Sequence, residues 1–201
     1  MLRKIRSLVS NSDYFGIYDN ALSKYECKLI IEKFEKSPQH PGEIYLWGYE
    51  KAQQCDESKK CTELVQIPDF RDGSVNSTII GLNLSKCLQK YNAEHPQLAP
   101  IASWNTSNGY NIQKYVGEDE GYKDWHTEHG PNVNASKRIM AWMFYLNDAK
   151  SGTEFMNYPT VQAKRGRCVI WPAAWTHVHR GQIPNKGLKY IATGWVDYMD
   201  G

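Results

Sequence analysis

The second half of the chain constrains the fold more than any other feature. From Ile101 onward the sequence breaks into short aromatic and β-branched runs, SWNTSNGYNIQKYV, RIMAWMFYLN, TEFM, RCVIWP, HVH and KYIATGWVDYM, separated by Gly, Asn and Pro. Apolar runs of this length with turn residues between them read as strands, and five or six strands in about a hundred residues predict a sandwich or a barrel. Seven Trp and 13 Tyr among 201 residues point the same way, because such rings pack well on pleated surfaces.

The first half carries helices. YFGIYDNALSKYECKLIIEKFEKS reads as a strand from Tyr14 to Tyr18 and then a helix opened by Ser23, with Glu26 three residues on in a capping-box pattern. Cys27, Ile30, Ile31 and Phe34 recur at helical spacing, and Ser37-Pro38 ends the run. A second helix is predicted from Ser77 to about Glu94, stopped by HPQLAP. Between the helices, residues 38–76 hold one apolar burst, Ile44 to Trp47, and then a charged stretch, which together predict a strand followed by a long loop. The length suits one domain over residues 1–201. The expected class is α+β, a helical buttress over about 19–95 covering one face of a double-layered β core over about 101–199.

Composition narrows the function. Twenty-four Lys and Arg against 22 Asp and Glu leave a formal charge of +2, too little for a nucleic-acid surface built on counterion release. Small-molecule or polypeptide substrates fit better, and the short KRGR run at Lys164 to Arg167 reads as a solvated turn. MLRKIRSLVSNSDYFG has only a broken apolar patch, and no run approaches the length of a membrane span, so no membrane partner is expected. The five cysteines are odd in number, scattered and without a C-x-x-C pair, which predicts free thiols and a cytoplasmic location. Oligomeric state is left open.

One stretch concentrates ligating groups. In DWHTEHG, His126 and Glu128 stand two residues apart, so on an extended segment both side chains project to one face with Cα atoms roughly 6 to 7 Å apart. A second histidine would complete a face of two histidines and one carboxylate, which leaves positions open on Fe(II). The downstream candidates are His177 and His179 in WPAAWTHVHRG. An H-x-E alone is weak evidence, since His and Glu commonly share exposed loops.

The order of the surrounding blocks makes the pattern specific. KYVGEDEGYKDWHTE resembles the Tyr-rich approach to the first His-x-Asp of the iron(II)- and 2-oxoglutarate-dependent dioxygenases, in their prolyl 4-hydroxylase-like branch. RIMAWMFYLND resembles the R-x-x-T-x-x-x-Y-L-N strand of that family, SGTEF a shortened G-G-E-T-x-F, and KRGRCVIWP its P-x-x-G-x-x-x-x-F-P strand. HRGQIPNKGLKYIATGW resembles H-x-G-x-P-V-x-x-G-x-R-Y-x-x-x-x-F, and IYDNALSKYECKLII the opening strand and helix. The likeness covers nearly the whole chain and is weakest over residues 38–76.

The resemblance implies a double-stranded β-helix, or jelly roll, and a hydroxylase that decarboxylates 2-oxoglutarate to succinate. Fe(II), 2-oxoglutarate and O2 are the implied cofactors, with ascorbate. The implied substrate is a prolyl or other residue in a peptide; a free amino acid or other small molecule is the alternative, as is a catalytically silent binding module. His126 and Glu128 would be the first two iron ligands. Lys189, ten residues beyond His179, would pair with the far carboxylate of 2-oxoglutarate, and Tyr145 would donate its hydroxyl to the same group. Aligning HRG on H-x-G places Gly187 and Lys189 without a gap and favours His179 as the distal ligand. Counting five residues on from Pro172 favours His177; His179 is preferred, and the other histidine is expected beside the site on the same side of a strand.

Departures from the pattern are local. Glu128 replaces the usual Asp, Ala141 the usual Thr, and Lys189 binds a carboxylate as a point charge rather than through the fork of an arginine. Trp142, Trp171 and Trp195 are expected in the core, and Arg180 either contacts substrate or forms an outward salt bridge. His40 and His129 read as solvated loop histidines. The segment 48–75 is expected to act as a lid.

Overall fold

The computed structural model describes residues 13–44, 52–66, 75–100 and 103–199. Strand β1 (Gly16–Tyr18) leads into helix α1 (Lys24–Lys36). Ser23 is extended and its hydroxyl accepts from the Glu26 N–H, while the Glu26 carboxylate accepts from the Ser23 N–H at 2.7 Å, so the capping box forms. Cys27, Ile30 and Phe34 fill the buried face, as their spacing predicts. Helix α2 (Val75–Glu94) lies beside it, and Asn83 Nδ2 donates to Glu26 Oε1 at 2.9 Å across the helix pair.

The charged stretch between the helices differs from the expected loop. It contains β2 (His40–Pro41), β3 (Glu43–Ile44), β4 (Gln53–Gln54), β5 (Lys59–Lys60) and β6 (Thr62–Gln66). Charged residues hid these strands from a reading based on apolar patterning: Lys59 and Glu63 are buried as a pair, their ammonium and carboxylate 2.7 Å apart. Of the expected strand from Ile44 to Trp47 only Ile44 lies among the described residues, and much of the expected lid also lies outside them.

The remaining strands are β7 (Trp104–Val116), β8 (Gly121–Tyr122), β9 (Arg138–Tyr145), β10 (Gly152–Phe155), β11 (Tyr158–Gln162), β12 (Cys168–Pro172), β13 (His179–Gly181) and β14 (Leu188–Tyr198). A seven-stranded sheet runs β1-β12-β9-β14-β7-β6-β2, and a three-stranded sheet runs β11-β10-β13, all antiparallel. Together they form the expected jelly roll.

Alternation along the large sheet sorts its side chains between two layers. Met140, Trp142 and Phe144 of β9, Ile170 of β12 and Tyr190 and Ala192 of β14 pack with Ile30, Phe34, Ile80 and Tyr91 of the helices. The intervening Ala141, Met143, Tyr145, Val169, Trp171 and Ile191 pack instead with Phe155 and Val161 of the small sheet. Polar anchors join the layers: Tyr190 donates to Glu35 Oε1 of α1 at 2.6 Å, and Tyr91 of α2 to the Tyr14 carbonyl at 2.6 Å. All five cysteines are free thiols. No helix among the described residues is long and apolar enough to cross a membrane.

The KRGR turn is solvated only in part, because Lys164 and Arg167 both pair with Asp19 at 2.7 Å. Gly166 within it has φ +77°, and a β-carbon there would sit 2.1 Å from the Leu22 carbonyl oxygen. Its own carbonyl accepts from the Leu22 N–H at 3.1 Å, so the turn cannot back away without losing that bond. Gly166→Ala is expected to cost at least about 1 kcal/mol of stability, read as a lower midpoint in urea denaturation with an unchanged slope.

Candidate functional site

The two halves of DWHTEHG meet their downstream partner through the backbone. The His126 N–H donates to the His179 carbonyl at 2.9 Å and the His179 N–H returns a bond to the His126 carbonyl at 3.0 Å. This two-bond bridge ties the segment after β8 to β13 of the small sheet and sets the imidazoles side by side, centroids 4.4 Å apart. Each ring is oriented from behind. His126 Nδ1 donates to the Asp124 carbonyl at 2.9 Å, and His179 Nδ1 to the His177 carbonyl at 2.9 Å. Carbonyls only accept, so in both rings the proton sits on Nδ1 and the lone pair on Nε2.

Those lone pairs face the Glu128 carboxylate. Glu128 Oε1 is 3.3 Å from His179 Nε2 and 3.9 Å from His126 Nε2. One ligand atom from each of His126, Glu128 and His179 lies within 4.8 Å of the other two. Three acceptors converging in this way repel one another unless a cation lies between them, so the donor set fits a divalent metal. Burial, reinforced by the nearby His179, lowers the His126 pKa to about 4, which keeps its lone pair available at neutral pH. Burial alone would raise the Glu128 pKa, but the close approach of His179 and the positive charge of Arg138 outweigh it and hold the carboxyl well below its usual range.

Packing fixes the rest of the cluster. Tyr122 stacks on His126, centroids 3.7 Å apart, while Phe155 and Trp171 close on His179. Trp195, expected in the core, is only half buried and reaches the site: its indole N–H donates to Glu128 Oε2 at 2.7 Å. Arg138 lies over the Trp195 ring, its guanidinium carbon 3.6 Å from the ring centroid, and donates to the Glu128 carbonyl at 3.1 Å. Sequence alternation carried the signal for Trp195, since Lys189, Ile191, Thr193 and Trp195 all line one cavity with the two histidines and Glu128. That cavity has a volume of about 550 Å³. His40 and His129, expected as solvated loop residues, also line it.

His177 is placed elsewhere. It closes a 3-10 turn (Trp175–His177) rather than sharing a strand with His179. Its Nε2 donates to the Asp13 carbonyl and its Nδ1 is 2.9 Å from the Thr176 hydroxyl, so neither ring nitrogen has a lone pair to spare. The ring packs against Phe15 and Tyr158, and it serves the site only through the carbonyl that orients His179. Arg180 takes the outward role, pairing with Glu154 at 2.7 Å and lying over Trp125.

Lys189 and Tyr145 share the cavity with the cluster. Lys189 is 2% exposed, donates to the Gln182 carbonyl at 2.6 Å and rests 4.8 Å from the Tyr115 ring centroid. Burial lowers its pKa to about 8. No carboxylate among the described residues pairs with it, so a buried ammonium faces the cavity with a single carbonyl as its hydrogen-bond partner. The Tyr145 hydroxyl lies 2.7 Å from Thr153 Oγ1 and donates to the Val161 carbonyl at 3.1 Å.

Outer contacts of this kind tune ligand geometry, and their loss typically weakens a metal site by one to two orders of magnitude. Trp195→Phe keeps the ring but removes the donor to Glu128. It is expected to weaken Co(II) binding about tenfold, measured by titrating the visible absorption of the cobalt protein.

Residues 110–197 match the model of the 2OG-Fe(II) oxygenase superfamily. No curated protein matches the chain. Among solved structures, a prolyl hydroxylase from Trichoplax adhaerens in complex with a hypoxia inducible factor peptide fragment superposes with a TM-score of 0.72 at 13% identity, over 94% of this chain and 86% of the other. A viral collagen prolyl hydroxylase from Paramecium Bursaria Chlorella virus-1, in its 2OG complex, gives 0.66 at 16% identity, over 92% and 97%. A Pseudomonas putida prolyl-4-hydroxylase gives 0.66 at 11% identity over the full length of both chains. Over residues 110–197 the chain thus resembles the 2OG-Fe(II) oxygenase superfamily, and it shares the fold of these prolyl hydroxylases.

Proposed function

We propose that the protein is an Fe(II)- and 2-oxoglutarate-dependent hydroxylase acting on a prolyl or other residue of a peptide, in the cytoplasm and with ascorbate as reductant. His126, Glu128 and His179 would hold the iron, and Lys189 with Tyr145 the far carboxylate of 2-oxoglutarate. The observation that carries the reading is the buried ammonium of Lys189 in the same cavity as three convergent acceptor atoms. A buried cation without a countercharge is costly, and a dicarboxylate entering the cavity would supply one.

Iron held by His126, Glu128 and His179 would supply the oxidising chemistry, with 2-oxoglutarate and O2 as co-reactants. The protein's own groups bind, orient and exclude water. Tyr122, Phe155 and Trp171 pack the two imidazoles so that their Nε2 atoms stay aimed at one point. Trp195 and Arg138 fix the Glu128 carboxylate. The Tyr145 hydroxyl, which donates to the Val161 carbonyl, lines the same cavity as Lys189 and would donate to the same carboxylate. The peptide reading is supported by the fold shared with the Trichoplax adhaerens enzyme, whose structure holds a peptide fragment.

The reading is tested by succinate release from 2-oxoglutarate in the presence of Fe(II), ascorbate and panels of proline-containing peptides and free amino acids. Turnover is expected with a peptide; failure to bind 2-oxoglutarate together with failure across both panels would reject it. His179→Ala is expected to abolish iron retention, whereas His177→Ala keeps the metal and loses stability, as read by iron content and thermal melting.

A second test uses pH. Lys189 has its pKa lowered from 10.5 to about 8, so the folded protein has released this proton above pH 8 while the unfolded chain still holds it. The penalty of burying the charge is full below about pH 8 and vanishes as pH approaches 10.5, so this group's contribution to stability rises with pH across that window. Cosubstrate binding needs the ammonium and runs the opposite way. The affinity of the Mn(II)-loaded protein for 2-oxoglutarate is expected to fall about tenfold per unit above pH 8, and Lys189→Ala to weaken it at every pH and flatten the profile.

A further inference from the structure

The arm formed by β5 and β6 carries a charge pair that the proposed chemistry does not use. Lys59 and Glu63 are 4% and 3% exposed, and both line the cavity. Lys59 Nζ donates to Glu63 Oε2 at 2.7 Å and to the Glu43 carbonyl at 3.0 Å, while Glu63 Oε1 accepts from the Glu43 N–H at 3.1 Å. Removing two charges from water is expensive, and an apolar pair would hold the arm as well or better. The pair therefore calls for a reason beyond stability.

Its hydrogen bonds run in one direction. Glu63 stands opposite Gln113 in the β6–β7 ladder, and Gln113 Nε2 donates to Glu63 Oε2 at 3.1 Å. A carboxylate only accepts, so the amide of Gln113 must turn its nitrogen toward Glu63 and its oxygen the other way. That oxygen accepts from the Tyr115 hydroxyl at 2.6 Å, two residues along the same strand face. Tyr115 stands opposite Lys189 in the β7–β14 ladder, and its ring lies 4.8 Å from the Lys189 ammonium. The charge of Glu63 thus fixes an amide, the amide fixes a phenol, and the phenol ring supports the buried lysine.

We propose that the buried Lys59–Glu63 pair, acting through Gln113 and Tyr115, is a positioning device that holds Lys189 for the distal carboxylate of the cosubstrate. Lys59 supplies the countercharge beside Glu63 at this depth, 2.7 Å away. Glu63 in turn keeps the Tyr115 proton pointed at Gln113, leaving the ring face to the ammonium. The inference rests on the reading of Lys189 as the carboxylate-binding residue.

The test is calorimetric titration of 2-oxoglutarate into the Mn(II)-loaded protein, with Co(II) absorption reporting metal affinity separately. Gln113→Leu is expected to weaken 2-oxoglutarate binding about tenfold and to leave Co(II) affinity within twofold of the starting protein. Tyr115→Phe, which keeps the ring but removes its tether, is expected to give a similar loss, and the double variant a loss no larger than either single change, since both cut the same chain. Lys59→Met with Glu63→Leu removes the charges together; thermal stability should hold or rise while 2-oxoglutarate affinity falls, a split that a purely structural clasp would not produce. In turnover the loss should appear in KM for 2-oxoglutarate, with kcat at saturation little changed. If 2-oxoglutarate binds the starting protein and changes by less than threefold in Gln113→Leu and in the paired variant, or if the Gln113 and Tyr115 losses add, the inference is overturned while the proposed function stands. If 2-oxoglutarate does not bind the starting protein at all, the reading of Lys189 falls and the inference falls with it.

Discussion

The site depends on two backbone hydrogen bonds between His126 and His179. They join the connection that follows β8 to the edge of the small sheet, and they bring together residues 53 positions apart. Neither imidazole could be aimed by its own strand alone. Because a bridged antiparallel pair projects both side chains to the same face, the two rings emerge side by side, and the carbonyls of Asp124 and His177 then fix which nitrogen is offered. Asp124 is itself held from the arm, since the Ser58 hydroxyl donates to its carboxylate and the Lys123 N–H donates to the Ser58 carbonyl at 2.7 Å.

The long ladder of β14 organises everything around that bridge. It pairs with β7 on one side and β9 on the other, so its alternate residues face two environments. Tyr190 and Ala192 pack toward the helices, while Lys189, Ile191, Thr193 and Trp195 line the cavity. A single strand therefore brings the ammonium at one end of the cavity and the indole donor of Glu128 at the other. The opposite face of the sheet needs the helices for a different reason: without α1 and α2, side chains such as Phe144, Ile170 and Trp142 would face water.

Much of this was legible in the sequence because it is written in periodicity. The capping box at Ser23 and Glu26, the apolar face of α1 and the strands of the β core all announce themselves through spacing. The cluster was legible in part: His126 and Glu128 form an alternating pair, while the choice of His179, and the reading of Lys189 nearby, came from the family resemblance of HRGQIPNKGLK rather than from spacing. What escaped were features that patterning treats as noise. Lys59 and Glu63 fall in the charged stretch that reads as a long loop, yet the fold buries them against each other and against Gln113. Trp195 read as core because large aromatic residues usually are, although its place in the Lys189 row aims it at the cavity. The separation of His177 from His179 depends on a 3-10 turn that spacing does not reveal.

The Glu at position 128 can be understood from the same contacts. A carboxylate arm one methylene longer than Asp brings more torsional freedom, which would blur a ligand geometry unless the far oxygen is held. Trp195 Nε1 holds Oε2 at 2.7 Å, Arg138 stands 3.7 Å from the same oxygen, and the guanidinium is itself stacked on the indole. Oε1 is thereby left to face the two histidines. The charges of the cavity divide accordingly. Arg138 answers Glu128 and Lys59 answers Glu63, so Lys189 is the buried cation without a described carboxylate beside it. Under the proposed function an incoming dicarboxylate would be drawn to that end of the cavity, and the longer arm of Glu128 has its own means of being kept in place, the indole and guanidinium that hold it.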